Sequence, residues 1–401
     1  MPQLDYRLSA RAQTIKASEI RELLKLVGKP SMISFAGGIP DPALFNLALF
    51  QSACHEAFGG PQIGREALQY STTEGHAPLR QWLAGHMNGL GVPATADNIL
   101  ITTGSQQALD LIGKLLIDAG STVLTARPTY LGALQAFSAY QASFATLDAP
   151  QPVGPDAPRL LYLTPDFANP TGLTMSLPAR QQALDQARAF NAIIVEDAAY
   201  SALRYDGEPV PAIAALDAAV SGSMQNTRTL YCGSFSKTLS PGLRVGWVCG
   251  PAPLIRKLAL LKQGADLHTA SVNQLVMHHV AISGFEAQVA AIRAVYRTRR
   301  DAMLAALERY APPDTHWQKP DGGMFVWLEL PPHIDTTALL EQAIAQDVAF
   351  VPGSAFFADG AGRNTLRLSF SLSDEAQIEL GIFKLCGLIA RQSKSRLASA
   401  H

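Results

Sequence analysis

The sequence predicts an α/β fold in which a large domain holds a mainly parallel sheet between helices, with a smaller α+β domain beside it. Between residues 95 and 250, short apolar runs alternate with segments whose apolar residues recur at helical spacing. These runs are continuously apolar, as in strands covered on both faces. The last hundred residues mix strand-like and helical segments without that alternation, which indicates a second, smaller domain.

Six apolar runs are expected to form strands of the large sheet. Between the first two, residues from Leu109 to Leu116 repeat at helical spacing, with Gly120 as the expected end cap. Pro178 is suited to the first turn of a later helix. The expected strands are Ile99–Thr102, Thr122–Thr125, Leu160–Leu163, Ala192–Val195, Thr229–Tyr231 and Val245–Cys249.

The two ends of the chain differ from this central part. An amphipathic helix around Ile20 and the loop FAGGIPDP form an N-terminal arm. A long helix, Phe285–Tyr310, leads to the strand-like segments MFVWLEL and TLRLSF and a final helix. We therefore expect an arm at 1–45 that joins the small domain, a large domain at 46–285 and a small domain at 286–401.

Composition excludes several classes of protein. The 401 residues carry 32 Lys and Arg against 33 Asp and Glu, so the chain lacks the charge expected of a nucleic-acid binder. Charged residues are 16% of the chain, below the usual share of about 25%, which indicates extensive burial. No run of about 18 uncharged apolar residues predicts a membrane span. The four cysteines form no CxxC pair and the N-terminus has no apolar signal region, so we expect a metal-free, cytoplasmic protein.

Ligands bind parallel sheets at the carboxyl ends of the strands, so polar residues there matter most. Asp197 ends the run AIIVED, where a buried carboxylate needs a partner. It is a structural acid that caps the next segment, the metal-holding acid of a nucleotide hydrolase, or the partner of a ligand. The hydrolase alternative requires GxxxxGK[ST], which this sequence lacks.

Lys237 lies in the segment GSFSKTLSPGLRVGW, among Ser234 and Ser236 and seven residues before Arg244. Hydroxyls and a fixed guanidinium make a cup for a phosphate. A lysine beside that cation has its ammonium form disfavoured, which helps it attack a carbonyl. Pyridoxal 5′-phosphate carries both an aldehyde and a phosphate, and its ring nitrogen needs an acidic partner such as Asp197.

Three further segments have a functional and an ordinary interpretation. Ser105 and Gln106 in ITTGSQQALDL open a helix whose N-terminus attracts anions, or the serine is a simple N-cap. Asn169 in NPTG has an amide suited to a phenolate oxygen, or it only forms a turn. Tyr130 either stacks on a cofactor ring or is a half-buried core tyrosine.

Together, SFSKTLSPGLR, NPTG and VEDAAY resemble the class I/II aminotransferases of the fold-type I pyridoxal-phosphate enzymes. Within them the chain is most similar to the 2-aminoadipate and broad-specificity aromatic group, from SEIRELLKL nearly to the C-terminus. The resemblance implies a homodimer with shared active sites. It also implies transfer of the amino group of 2-aminoadipate, an aromatic amino acid or a leucine-like one to 2-oxoglutarate by a ping-pong mechanism.

The resemblance further implies a role for each site residue. Lys237 bonds to the cofactor and acts as the base, Asp197 pairs with the ring nitrogen, and Tyr200 assists at the ring oxygen. From alternation alone, Arg367 lies on the solvated face of a strand and Arg21 on a solvated helix face. The implied cofactor contacts are Lys237, Ser105, Gln106, Tyr130, Asn169, Asp197, Tyr200, Ser234, Ser236, Arg244 and, from the neighbouring subunit, Tyr70. The implied substrate contacts are Arg367, Asn169, Gly38, Arg21 and Ser18.

Two alternatives remain at this point. The same lysine, aspartate and arginine serve a pyridoxal-phosphate-dependent carbon–sulfur lyase. A cofactor-sensing regulator is the other, but such proteins carry a winged-helix DNA-binding region ahead of the aminotransferase-like part. Here FAGGIPDP already begins at residue 35, so we expect no such region.

Overall fold

The computed structural model describes residues 6–14 and 31–399, with side chains as far as residue 393. The predicted helix around Ile20 and two of the predicted substrate contacts, Ser18 and Arg21, lie outside the described residues. The first described elements are α1 (Ala10–Thr14), β1 (Ile33–Ser34), α2 (Leu47–Ala57), α3 (Pro61–Leu68) and α4 (Ala77–Gly89).

A seven-stranded sheet forms the centre of the large part of the molecule, in the order β2-β8-β7-β6-β5-β3-β4. All neighbours pair in parallel except β8, which is antiparallel to both β2 and β7. All six predicted strands are present, and the mainly parallel sheet is confirmed. The strands are β2 (Ile99–Thr102), β3 (Thr122–Thr125), β4 (Ser143–Thr146), β5 (Leu160–Leu163), β6 (Ile193–Asp197), β7 (Thr229–Ser234) and β8 (Gly246–Cys249).

Helices cover both faces of this sheet, which explains why its strands are continuously apolar. They are α5 (Ser105–Leu116), α6 (Leu131–Ser138), α7 (Leu177–Phe190), α8 (Ile213–Ser221) and α9 (Ala252–Gln263). Helices α5, α6 and α9 share one apolar cluster with the sheet, and α7 and α8 share another. Pro178 lies in the first turn of α7 as predicted. Gly120 is not the cap of α5, because that helix ends at Leu116 and Ile117 is its cap.

A second sheet, β12-β13-β10-β9, is antiparallel and belongs to the C-terminal part. Strand β1 of the N-terminal arm pairs in parallel with β11, so the arm joins this part of the molecule. The remaining elements are α10 (Ser271–Tyr310), β9 (His316–Trp317), β10 (Phe325–Glu329), α11 (Thr336–Ile344), β11 (Val348–Ala349), β12 (Val351–Pro352), β13 (Thr365–Ser369) and α12 (Glu375–Ser399).

Helix α10 begins at Ser271, not at Phe285 as predicted, and it runs through the expected boundary between residues 285 and 286. By length and composition it is apolar enough to cross a membrane. Its buried residues nevertheless belong to two internal clusters: Met277 packs with the large part of the molecule and Met303 with the C-terminal part. The helix is therefore a core element that both apolar cores share.

Glu196, the residue before Asp197, is a buried acid that caps a helix. Its Oε1 accepts a hydrogen bond from the Ile213 amide at 2.9 Å, and its Oε2 accepts one from the Ala214 amide at 2.8 Å. These amides begin α8, whose own N-cap residue, Ala212, makes no side-chain cap bond. Burial raises the pKa of Glu196 to about 7, and the two backbone donors only partly oppose that rise.

We expect Glu196→Gln to flatten the pH dependence of stability. Between the ordinary pKa of 4.5 and the folded value of about 7, the folded state holds the proton more tightly. The contribution of Glu196 to the free energy of unfolding is therefore largest below pH 4.5. It falls by about 3 kcal/mol as the pH rises from 4.5 through 7. Urea unfolding at several pH values measures this slope. Glu208→Gln removes an exposed carboxylate and should keep the wild-type slope, and an equal slope in Glu196→Gln would contradict the prediction.

Candidate active site

The polar residues predicted at the strand ends meet where β5, β6 and β7 finish at one edge of the sheet. Asp197 is the last residue of β6. Lys237 ends a short 3₁₀ turn, Phe235–Lys237, that directly follows β7. Asn169 lies in the loop after β5. Parallel neighbours place successive strand ends side by side, so residues far apart in the sequence form one cluster.

Asp197 is 4% exposed and its two oxygens differ. Oδ2 accepts a hydrogen bond from the Tyr162 hydroxyl at 2.7 Å. Oδ1 is buried and has no partner among the described residues. Burial raises the pKa of Asp197, while Tyr162, a backbone amide and the positive charge of Lys237 oppose the rise. The helix-capping role that the sequence left open for Asp197 belongs instead to Glu196.

Lys237 reaches from the 3₁₀ turn to the N-terminal arm. Its Nζ donates to the Gly38 carbonyl at 2.7 Å and lies 5.8 Å from the centre of the Tyr200 ring. Burial, followed by the charges of Arg367 and Arg244, lowers the pKa of Lys237 to about 8, and Asp197 opposes this. The lowered pKa favours the neutral amine of Lys237, the form that attacks carbonyls and accepts protons.

Arg367 is buried, so the interpretation of a solvated strand face is wrong for this residue. It is 2% exposed on β13, and its Nη1 and Nη2 donate to Asn169 Oδ1 and the Ala36 carbonyl, each at 2.7 Å. The guanidinium carbon lies 4.2 Å from the centre of the Phe325 ring and 5.1 Å from that of Phe356. Burial lowers the pKa of Arg367 to about 10.

Arg367 makes no ion pair within the described part of the chain, and its buried Nε has no hydrogen-bond partner there. A buried cation with no anionic neighbour is costly. Its planar fork matches a carboxylate that enters from solvent. This geometry therefore suits the binding of an acid substrate beside Lys237.

Asn169 and Tyr200 are both buried and lie between Arg367 and Lys237. Asn169 Nδ2 is 3.5 Å from the Tyr200 hydroxyl, which is a long hydrogen bond. An ion pair of 2.8 Å between Asp166 and the fully buried Arg180 anchors the loop that carries Asn169. Asp166 and Arg180 were not predicted from the sequence, where their distance along the chain gives no pairing signal.

The predicted phosphate cup lies at the start of α5. Gly104 has φ +77°, and a Cβ there would stand 2.4 Å from Arg244 Nη2, so only glycine leaves room for that guanidinium. Ser105 is the first helical residue rather than the N-cap, which is Gly104, so the simple N-cap interpretation is wrong. The free amides of this first turn and the Arg244 cation therefore face the same place.

The other predicted phosphate contacts have their own bonds. Buried Ser234 accepts a hydrogen bond from the Ser236 amide at 3.1 Å, which shapes the 3₁₀ turn before Lys237. Gln106 is exposed, and its amide donates to the Gly132 carbonyl at 3.0 Å, which ties α5 to the start of α6. The structure thus brings the serines to the Lys237 turn and directs the Gln106 amide toward the first turn of α6, which follows Tyr130.

A polar network behind the cup was missed by sequence reasoning. The side chain of Lys262 is fully buried and donates to Asp266 Oδ1 at 2.6 Å and to Gln107 Oε1 at 2.9 Å. Asp266 also accepts a hydrogen bond from the Thr103 hydroxyl at 2.8 Å. These bonds hold the residues on either side of Gly104. The four-residue spacing of Lys262 and Asp266 was the available signal, although α9 ends at Gln263 and Asp266 lies in the turn after it.

Tyr130, Gly38 and Tyr70 occupy three different positions. Tyr130 is the half-buried N-cap of α6 and is close enough to perturb the pKa of Tyr200. A Cβ on Gly38 would stand 2.7 Å from the Phe325 ring, so glycine allows the backbone to pack directly against that ring. Tyr70 is 79% exposed, and its ring meets the His268 ring edge-on, apart from the cluster around Lys237.

Comparison with known proteins identifies the family. Residues 51–384 match the model of aminotransferase class I and II. The chain is 43% identical to a 2-aminoadipate transaminase of Thermus thermophilus, covering 93% of this chain and 94% of that protein. It is 41% identical to aromatic-amino-acid aminotransferase 1 of Thermococcus litoralis, covering 98% and 97%.

A solved structure shows the same fold. It is an α-aminoadipate aminotransferase of Thermus thermophilus in complex with N-(5'-phosphopyridoxyl)-L-leucine. It superposes with a TM-score of 0.86 at 40% identity and covers 96% of this chain and 97% of that one. The resemblance and the fold-type I architecture are thereby confirmed. The chain belongs to the class I and II aminotransferases and is a pyridoxal-phosphate-dependent enzyme.

Proposed function

We propose that this aminotransferase moves the amino group of 2-aminoadipate, an aromatic amino acid or a leucine-like one to 2-oxoglutarate. One observation carries the proposal. The lysine amine with a lowered pKa lies between a buried carboxylate with one free oxygen and a buried guanidinium without an anionic partner among the described residues. The substrates are those named for the related Thermus and Thermococcus enzymes.

The residues at the site fit pyridoxal phosphate. The unpartnered Asp197 Oδ1 is a buried acceptor that the ring nitrogen would satisfy, and the first turn of α5 with Arg244 offers donors to the phosphate. When bound, the cofactor supplies an aldehyde that reacts with amines and a ring that accepts electrons. Lys237 would hold its aldehyde carbon, Asn169 and Tyr200 its ring oxygen, Tyr130 its ring face, and Ser105, Gln106, Ser234, Ser236 and Arg244 its phosphate.

Three side chains perform the chemistry that the protein contributes. Arg367 binds the substrate α-carboxylate through two parallel hydrogen bonds and so orients the α-hydrogen toward Lys237. The neutral Nζ of Lys237 accepts that proton and later returns it. Ionised Asp197 would keep the ring nitrogen of the bound cofactor protonated. Donor and acceptor use this one site in turn, which requires ping-pong kinetics.

The lining of the site supports acceptance of apolar side chains. Phe325 and Phe356 flank the Arg367 guanidinium, and the Gly38 backbone packs directly against the Phe325 ring. An acidic side chain needs a cation in addition, because a lone buried charge is costly. We assign that role to Arg21, with Ser18 beside it in the sequence, on the basis of similarity alone.

Arg21→Ala is expected to lower kcat/KM for 2-aminoadipate and 2-oxoglutarate by about 10–100-fold, the loss of one charge-assisted hydrogen bond. Aromatic donors should stay within about threefold, because they do not use the guanidinium. Steady-state rates for both substrate classes test this, with Arg21→Lys as the variant that keeps the charge. Equal losses for both classes would contradict the assignment.

A panel of amino donors assayed with 2-oxoglutarate tests the proposed function. We expect kcat/KM to be highest for 2-aminoadipate, aromatic amino acids or leucine, with parallel double-reciprocal lines as ping-pong kinetics require. Release of pyruvate and ammonia from cystathionine without any 2-oxo acid would instead support a carbon–sulfur lyase.

We also propose a cytoplasmic homodimer in which Tyr70 reaches the phosphate of the partner subunit. Exposed apolar side chains accompany Tyr70: Leu68 is 76% exposed and Ile63 46% exposed on α3. Patches of this kind mark protein contacts. We further propose that the chain divides into an arm at 1–45, a large domain at 46–285 and a small domain at 286–401. Light scattering that gave the mass of a single chain would refute the dimer.

A further inference from the structure

Tyr162 lies directly behind Asp197 in the sheet. It is fully buried in the middle of β5, and its hydroxyl donates to Asp197 Oδ2 at 2.7 Å. In the parallel pairing of β5 with β6, Tyr162 is opposite Val195. Val195 and Asp197 are two residues apart, so their side chains point to the same face as that of Tyr162. The long tyrosine side chain spans the distance of two residues, about 6.6 Å, along the strand.

The tyrosine is itself held in place. The Phe137 ring of α6 packs edge-on against the Tyr162 ring with centroids 5.8 Å apart. Both residues belong to the apolar cluster between the sheet and α5, α6 and α9, on the side where Tyr130 begins α6. The hydroxyl therefore has a fixed direction toward Asp197, and the carboxylate cannot rotate without losing this bond.

We propose that Tyr162 is a positioning residue that occupies Asp197 Oδ2 so that Oδ1 faces the ring nitrogen of the cofactor. The inference rests on the role proposed above for Asp197. Without the tyrosine hydroxyl, the buried carboxylate loses a donor and its ionised form becomes less favourable. A carboxyl group that ionises less readily stabilises the protonated ring nitrogen less. The cofactor then binds less tightly.

Among the titratable side chains around Asp197, Tyr162 is the neutral hydrogen-bond donor. Burial and the nearby Asp197 raise the pKa of Tyr162 well above the ordinary value, so it keeps its proton at working pH. Tyr200 and Cys232 also have raised pKa values, each with burial as the main cause and Asp197 as a contributor. Lys237 is the cation that faces Asp197. At neutral pH the two tyrosines and the cysteine therefore carry no charge.

The test compares Tyr162→Phe with Tyr231→Phe in the cofactor-loaded protein. Tyr231 is an equally buried tyrosine on β7, and its hydroxyl makes a 3.4 Å contact with Ser201. We expect Tyr162→Phe to raise the dissociation constant of pyridoxal phosphate about tenfold. It should also raise the pH midpoint of the visible absorbance change of the bound cofactor, because a less protonated ring withdraws fewer electrons. Tyr231→Phe should change neither quantity by more than about twofold.

A double-mutant cycle with Asp197→Ala separates positioning from a purely structural role. If Tyr162 acts through Asp197, adding Tyr162→Phe to Asp197→Ala leaves the dissociation constant and the midpoint unchanged. Equal effects of Tyr162→Phe in both backgrounds, or no effect in the wild-type background, would overturn the inference. A wild-type protein that takes up no cofactor at Lys237 would refute the proposed function as well, so the two failures are distinguishable.

Discussion

Replacing Lys237 by alanine is expected to reduce kcat by at least about 10⁴-fold, the largest effect of any single substitution in this enzyme. The variant loses the amine that we propose bonds to the cofactor and also accepts the α-proton. Neighbouring cations do not replace it, because a guanidinium has no neutral amine to accept the proton. Turnover of an amino donor with 2-oxoglutarate measures the loss.

Two further variants show which property of the lysine matters. Lys237→Arg keeps a cation in the turn but has no neutral amine, so it should be as inactive as the alanine variant. Lys257→Ala removes an exposed lysine of α9 and should keep wild-type turnover. Borohydride treatment of the loaded wild-type protein should attach the cofactor to the peptide that contains Lys237. Retained turnover in Lys237→Ala, or attachment elsewhere, would overturn the assignment.

The central sheet could be predicted because its strands are buried on both faces and so are visible as apolar runs. Strand β4 was missed for the opposite reason: it lies at the edge of the sheet, and its residues SFAT are exposed or half-buried. The start of α10 was also missed. The first half of this helix packs against one apolar cluster and the second half against another, so no single apolar stripe runs along its length.

The site illustrates what a local pattern cannot contain. Strand-end positions alone placed Asp197 and Lys237 together, since parallel strands align their carboxyl ends. Alternation assigned Arg367 to solvent, because it cannot show that Ala36, 331 residues earlier in the chain, covers that face. The Tyr162 contact depends on the register of two strands, and an apolar run carries no register.

Asp197→Ala is expected to lower kcat by about 10²–10³-fold while the cofactor remains bound, the size of effect seen when one fixed electrostatic partner of a reacting group is removed. The cofactor binds less tightly without Asp197, but at saturating concentration it stays because Lys237 and the phosphate cup at Gly104 do not depend on this carboxylate. Proton removal then becomes the slow step, because the ring nitrogen is no longer kept protonated. A donor deuterated at the α-carbon should accordingly show a larger isotope effect in the variant than in the wild type.

The neighbouring carboxylate provides the matched control for this prediction. Glu196→Gln changes the adjacent residue of the same strand, but its oxygens face the α8 amides, so kcat should stay within about threefold of wild type. Asp197→Asn keeps the shape of the side chain and loses its charge, and it should be nearly as slow as Asp197→Ala. If Asp197→Asn kept wild-type turnover, the charge would be dispensable and Asp197 would be a structural acceptor for Tyr162.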